Sequence, residues 1–263
     1  MNCKIEIRDN SGVVRACAEG ERRADLVFDG EYASGDRIAV SLSEYPAYIV
    51  LQLDDALGSS VNYITGPFEL EIPFAEKKTS YSPKTFAGNR HYLYVRKAFR
   101  YEYAAYRNLA LNVNDCHENA TLFPHAHANV ETRGEAVFAA RNAIDGVCVN
   151  YSHGEWPFES WGINRRDDAK MTVEFGKTVE VDRIVLYTRA DFPHDNWWES
   201  VTFTFSDGEK LVTGLHKSSA PHEIIIKAKK TNSITLSELI KADDPSPFPA
   251  LTQIEVYGMY VKD

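Results

Sequence analysis

Two stretches of this 263-residue chain crowd together side chains capable of chemistry. The first, residues 153–165, carries His153, Glu155, Trp156, Trp161 and Arg165. The second, residues 189–199, supplies Arg189, Asp191, His194, Asp195, Asn196, Trp197, Trp198 and Glu199. Flat aromatic rings offer stacking surfaces, and planar polar groups offer paired hydrogen bonds. A sugar needs both, because it presents apolar C–H faces and rings of hydroxyls. Trp156, Trp197 and Trp198 are therefore expected to form a stacking platform. Arg189, Asp191, His194, Asp195 and Asn196 would fix hydroxyls, with Glu155 and Arg165 closing the rim. The competing reading is packing: Trp161 and one of Trp197 and Trp198 sit in the core, and the charges pair among themselves.

The same groups contain enough carboxylates and imidazoles for acid/base work. Two carboxylates across a sugar could hydrolyse a glycosidic bond. Yet the chain has no nucleophile elbow, no H-E-x-x-H, no P-loop and no glycine-rich dinucleotide fingerprint. His125-Ala126-His127 could place two imidazoles on one strand face, but zinc wants three or four ligands. The expected reading there is loop histidines beside a proline turn.

Composition narrows the partners. The net charge is −9, from 29 Lys+Arg against 38 Asp+Glu, which argues against nucleic acid. No apolar run approaches the length of a membrane helix. Cys3, Cys17, Cys116 and Cys148 are too scattered for a C-x-x-C metal site and too few for a disulfide scaffold. The chain opens without an apolar signal region, so as written it reads as a cytoplasmic protein with free thiols, and as a secreted one if a leader has been trimmed.

Strands must position these loops. Short runs rich in Val, Ile, Tyr, Phe and Thr recur between turn residues, near 3–7, 13–17, 37–42, 48–53, 62–65, 68–72 and 91–96. They continue near 171–175, 180–188, 200–206, 223–227, 233–236 and 253–260, with one short helix near 135–142. This spacing predicts an all-β protein of two β-sandwich, jelly-roll-like domains. All four tryptophans lie in the second half, and a seam falls near 103–108. The domains are set at 1–105 and 106–263. The Tyr-rich stretch Tyr92, Tyr94, Tyr101, Tyr103 and Tyr106 is expected on a sheet face or at the domain interface.

Several segments, in order, carry a family likeness: Asn108-Leu109-Ala110-Leu111-Asn112, then Ala143-Ile144-Asp145-Gly146 followed by Trp161. Met171-Thr172-Val173-Glu174-Phe175-Gly176 comes next, then Val179-Glu180-Val181-Asp182-Arg183-Ile184, and Gln253-Ile254-Glu255-Val256-Tyr257-Gly258 closes the series. Residues 108–263 thereby resemble a discoidin-type module, the galactose-binding-like β-sandwich of many carbohydrate-binding modules. The resemblance implies a ligand on loops at one end of the sandwich. It also implies a structural calcium, with Asp145 and Glu255 in the places of its carboxylates. The loop 147–160 departs from the family, which usually places its tryptophan sooner after "DG". The expectation is a non-catalytic protein that binds an oligo- or polysaccharide. The alternatives are a small carbohydrate-active enzyme using His194 or Asp191 in the same cleft, and a protein-interaction module.

Overall fold

The computed structural model describes residues 1–261. Nearly every element is an antiparallel strand, and the chain forms an all-β protein of two sandwiches. In the first half a four-stranded sheet runs in the order Val14–Glu21, Asn2–Arg8, Arg37–Leu42, Phe68–Glu71. A five-stranded sheet faces it: Leu122–Phe123, Ser60–Ile64, Ala47–Gln52, Arg90–Lys97, Arg23–Asp29. Alternate side chains point to opposite faces of a strand. Ile5, Ile7, Ile38 and Val40 of one sheet thus meet Leu26, Ile49, Leu51 and Leu93 of the other in a closed core.

The second half is one sheet that wraps around its own core. Its spine is a pair of long strands, Met171–Thr188 and His222–Lys241, flanked by Ala250–Tyr260 on one side and Trp198–Phe205 and Lys210–Gly214 on the other. The sequence suggested a break at Gly176, yet the strand continues through it. Register shifts between Glu174 and Val179 and again between Val181 and Arg183 act as bulges that bend the strand. Gly176 has φ +72°, and a Cβ there would lie 2.5 Å from the Phe123 ring. The Ala-rich segment near 135–142 is not a helix of α type. It forms two 3₁₀ turns, Ala136–Phe138 and Ala140–Ile144. Trp161, Phe175, Phe203 and Leu186 are among the residues filling the core.

The halves interlock beyond the seam. Leu122–Phe123 pairs with Ser60–Ile64, so the chain returns to the first-half sheet after entering the second half. Leu122 and Cys116 belong to the first core. Tyr103 stacks on Tyr48 at 4.1 Å and 3°, and Tyr260 meets Tyr48 edge-on. Tyr92 and Tyr94 share the outer face of a strand, as a sheet-face reading requires. The four cysteines are unpaired. Among the described residues, no helix is long and apolar enough to cross a membrane.

Candidate functional site

A cleft of about 450 Å³ opens on the second sandwich where three segments converge: 132–138, 162–165 and 247–250, with Arg189, His153 and His194 on its wall. That volume lies within the range of small-molecule sites. Its walls combine flat rings with fixed polar groups. The His153 and His194 imidazoles stack at 4.0 Å and 5°. His194 in turn stacks on Phe248 at 5.3 Å and 9°, and the Arg165 guanidinium lies 4.7 Å from the Phe248 ring centre. Phe248 sits in Ser246-Pro247-Phe248-Pro249, where two prolines withhold N–H donors and restrict the backbone.

Buried hydrogen bonds hold this wall. Arg189 is 4% exposed and donates Nε and Nη2 to Asp195 Oδ1, at 2.9 and 2.5 Å. Nη2 also reaches the Phe248 carbonyl at 3.3 Å, which ties the aromatic loop to the arginine. Nη1 makes no hydrogen bond among the described residues. Asp195 is fully buried and also accepts the Asp191 N–H at 2.8 Å. The Asn196 side-chain amide donates to the carbonyls of Ala242 and Ser246. These bonds fix the turn that carries His194.

The rim is conformationally strained. Arg133, Asn164 and Arg165 have φ of 54°, 49° and 60°, a left-handed region that side chains other than glycine enter at a cost. All three line the cleft. The Asn164 N–H donates to Thr132 Oγ1 at 2.9 Å, which holds the turn in place. Gly162 forms the floor between them: a Cβ there would fall 2.5 Å from Thr132 Oγ1.

The structure separates the residues singled out in the sequence. Arg165, Arg189 and His194 line the cleft, and Asp191 reaches it through a 2.7 Å contact with His153 Nδ1. Asp195 and Asn196 lie beneath it as buried supports. The tryptophan platform is not assembled there. Trp198 is completely buried in the core, because adjacent strand residues face opposite ways and its face is the inner one. Trp197 is half-buried outside the cleft, edge-on to Phe192, with the Lys217 ammonium 4.9 Å from its ring. Trp156 lies at the junction of the halves. Its backbone N–H donates to the Thr79 carbonyl, and the residue borders a smaller cavity with Tyr81 and Arg141. Glu155 is exposed and is not on the cleft wall. Phe248, Phe138 and Asn164 were not anticipated. The proline pair around Phe248 was the available signal, since it holds an aromatic ring in an irregular segment.

The remaining candidates are spread out. His125 and His127 lie on a strand, His125–Ala128, rather than a loop. Each faces its own carboxylate: His125 Nδ1 is 2.9 Å from Asp115, and His127 is 3.4 Å from Glu174. The Asp145 carboxylate accepts the Val147 N–H and lies 3.9 Å from the buried Arg141 guanidinium. Glu255 accepts the Tyr257 hydroxyl at 3.1 Å. Burial raises Asp145 above the ordinary carboxylate range, against the opposing pull of Arg141.

Fold and site together define an all-β, double-sandwich protein with a loop-built cleft of stacked rings and a buried arginine. Residues 121–243 match a family described as a domain of unknown function, DUF7402. No curated protein matches. Among solved structures, the chain is similar to chitosan-binding module 1 of a chitosanase/glucanase from Paenibacillus sp. IK-5. The identity is 21%, over 57% of this chain and 98% of that one, with a TM-score of 0.38. A fucose-binding module from Streptococcus pneumoniae is 15% identical over 57% of this chain and 94% of its own, at 0.40. The family 32 carbohydrate-binding module of C. perfringens NanJ, in complex with galactose, is 17% identical over 50% and 91%, at 0.36.

Proposed function

We propose that the protein binds a carbohydrate in this cleft and does no chemistry on it. The observation that supports the reading is the convergence of the Phe248 ring, the His194 imidazole and the buried Arg189 on one strained, loop-built wall. Phe248 would take the C–H face of a sugar ring, while Arg189 and His194 would hydrogen-bond its hydroxyls. Arg165 lies over Phe248 and is exposed, so it would swing aside or join the contact as the ligand enters.

A glycan-array screen of the intact protein, followed by titration of any hit, tests this. Phe248→Ala is expected to weaken the hit by about tenfold or more, the scale of one aromatic contact. Trp197→Ala, outside the cleft, is expected to leave it unchanged. Equal affinity in folded Phe248→Ala protein would refute the assignment. A second reading draws on the 2.7 Å contact between His153 and Asp191, a pairing that acid/base catalysis uses. It predicts turnover of an oligosaccharide that is abolished in Asp191→Asn.

Calcium on Asp145 and Glu255 is a companion proposal. Two carboxylates with loop carbonyls make a suitable oxygen set, while Arg141 competes for Asp145. Millimolar calcium should then raise the melting temperature of wild type and not of Glu255→Gln. An identical melting temperature with calcium and with chelator would count against it.

A further inference from the structure

We propose that His153, Asp191 and His194 bind one divalent transition-metal ion of the zinc type at the rim of the cleft. One donor atom from each of the three lies within 4.8 Å of the others, and among the described residues this is the only such group of three or more. The residues come from two segments that hydrogen bonds already tie together: the Ala190 N–H donates to the Asn150 carbonyl at 2.7 Å, and the Asn150 side-chain amide donates to the Thr188 carbonyl at 3.0 Å. Within the second, Asp195 N–H donates to the Asp191 carbonyl at 2.9 Å and Asp191 N–H to Asp195 Oδ2, and the Ser246 hydroxyl donates to the His194 carbonyl.

A carboxylate faces one nitrogen of each imidazole. His153 Nδ1 is 2.7 Å from Asp191 Oδ2, and His194 Nδ1 is 3.1 Å from Asp195 Oδ1. Each ring is therefore held by a carboxylate on one nitrogen, and neither Nε2 has a hydrogen-bond partner among the described residues. Metal-binding histidines are held in this way, with the carboxylate fixing ring orientation and raising basicity.

Packing does not require this cluster. The side chains of His153 and His194 are 41% and 42% exposed, and Asp195 already has Arg189 as its counter-charge. Two nitrogens and a carboxylate oxygen favour zinc-like ions over calcium, which prefers six to eight oxygens. Bonds of about 2.0–2.2 Å to a tetrahedral ion would draw the donors to about 3.3 Å apart. A bound metal lies in the plane of each imidazole, so the parallel rings would also have to turn out of their stack, and both side chains are more than two-fifths exposed, which leaves them room to turn. Asp191 would either ligate directly or stay on His153 Nδ1 while water takes its place, and a further position would remain open.

The test is metal uptake by the intact, chelator-stripped protein with no glycan present, so its failure is separate from failure of the sugar reading. Zn²⁺ is titrated against a chromogenic chelator, and Co²⁺ is followed by its visible absorption. Cys17→Ser/Cys148→Ser serves as the background, because those two thiols are not buried. His222→Ala controls for the separate His216–His222 contact. One equivalent of Zn²⁺ is expected, with a cobalt spectrum free of thiolate charge transfer. His153→Ala/His194→Ala should abolish that equivalent, and Asp191→Asn should weaken it by about ten- to a hundredfold. Melting curves of each variant confirm the fold. Absence of saturable uptake in the background protein, or uptake that survives in the folded double-histidine variant, would overturn the proposal.

Discussion

Trp198→Ala is expected to destabilise the protein by about 3–5 kcal/mol, the usual cost of removing a buried indole. The ring is fully enclosed by the second core, so its loss leaves a cavity that close-packed neighbours fill only in part. One detail tempers the figure. The indole N–H is buried without a hydrogen-bond partner among the described residues, and an unpaired donor already costs about 1–3 kcal/mol. Trp198→Phe, which removes that donor and keeps an aromatic ring, should therefore cost much less than Trp198→Ala. Trp197→Ala should fall within about 1 kcal/mol of wild type, as for most partly exposed positions. Chemical denaturation of the three variants checks the series. Equal losses at positions 197 and 198 would contradict the placement of Trp198.

Glu159→Gln is expected to stabilise the protein at alkaline pH and to lose that advantage in acid. Glu159 is 1% exposed, and neither carboxylate oxygen has a hydrogen-bond partner among the described residues. Burial, and then the charge of nearby Asp145, push its proton affinity above the ordinary carboxylate range. The sign follows from linkage. An acid whose folded-state pKa is raised holds its proton more tightly when folded, so its stability contribution is full below the unfolded value, near pH 4. That contribution is lost as pH rises through the folded value. The glutamine cannot ionise and escapes this loss. At pH 8 it should gain on the order of 1–3 kcal/mol, a rise of several degrees in melting temperature, with the difference closing or reversing near pH 5. An offset that is the same at both pH values would show that the charge of Glu159 is not the cause.

Much of the architecture was legible because strand patterning is local. Strand Arg37–Leu42 matches its sequence-based limits and six others agree to within a residue or two, while the separate runs at 223–227 and 233–236 are joined in one strand, His222–Lys241. Arg23–Asp29 was missed, although its burial alternates strictly, because charged residues at positions 23, 25 and 29 interrupt its short apolar run. Their charges face solvent, while Ala24, Leu26 and Phe28 fill the core. The site was legible only in part. Chemical type pointed to Arg165, Arg189, Asp191 and His194, but it could not separate a displayed tryptophan from a buried one. Trp197 and Trp198 are neighbours at the start of a strand, and the inner face claimed the second. Phe248 escaped notice because a ring between prolines has no periodicity to reveal it. The partnership of His153 with His194 joins residues 41 positions apart and is a product of the fold alone.

The pairing of Leu122–Phe123 with Ser60–Ile64 has an evolutionary consequence. Sandwich modules that hang on linkers can be copied between genes as separate beads. Here the later part of the chain completes a sheet of the earlier part, and the side-chain amide of Asn114 donates to the Leu51 carbonyl across the same boundary. A cut near the seam would strip the first sheet of its edge and expose Leu122 on the other fragment. Moving the cleft to another protein with both sheets intact would therefore mean moving the two halves together.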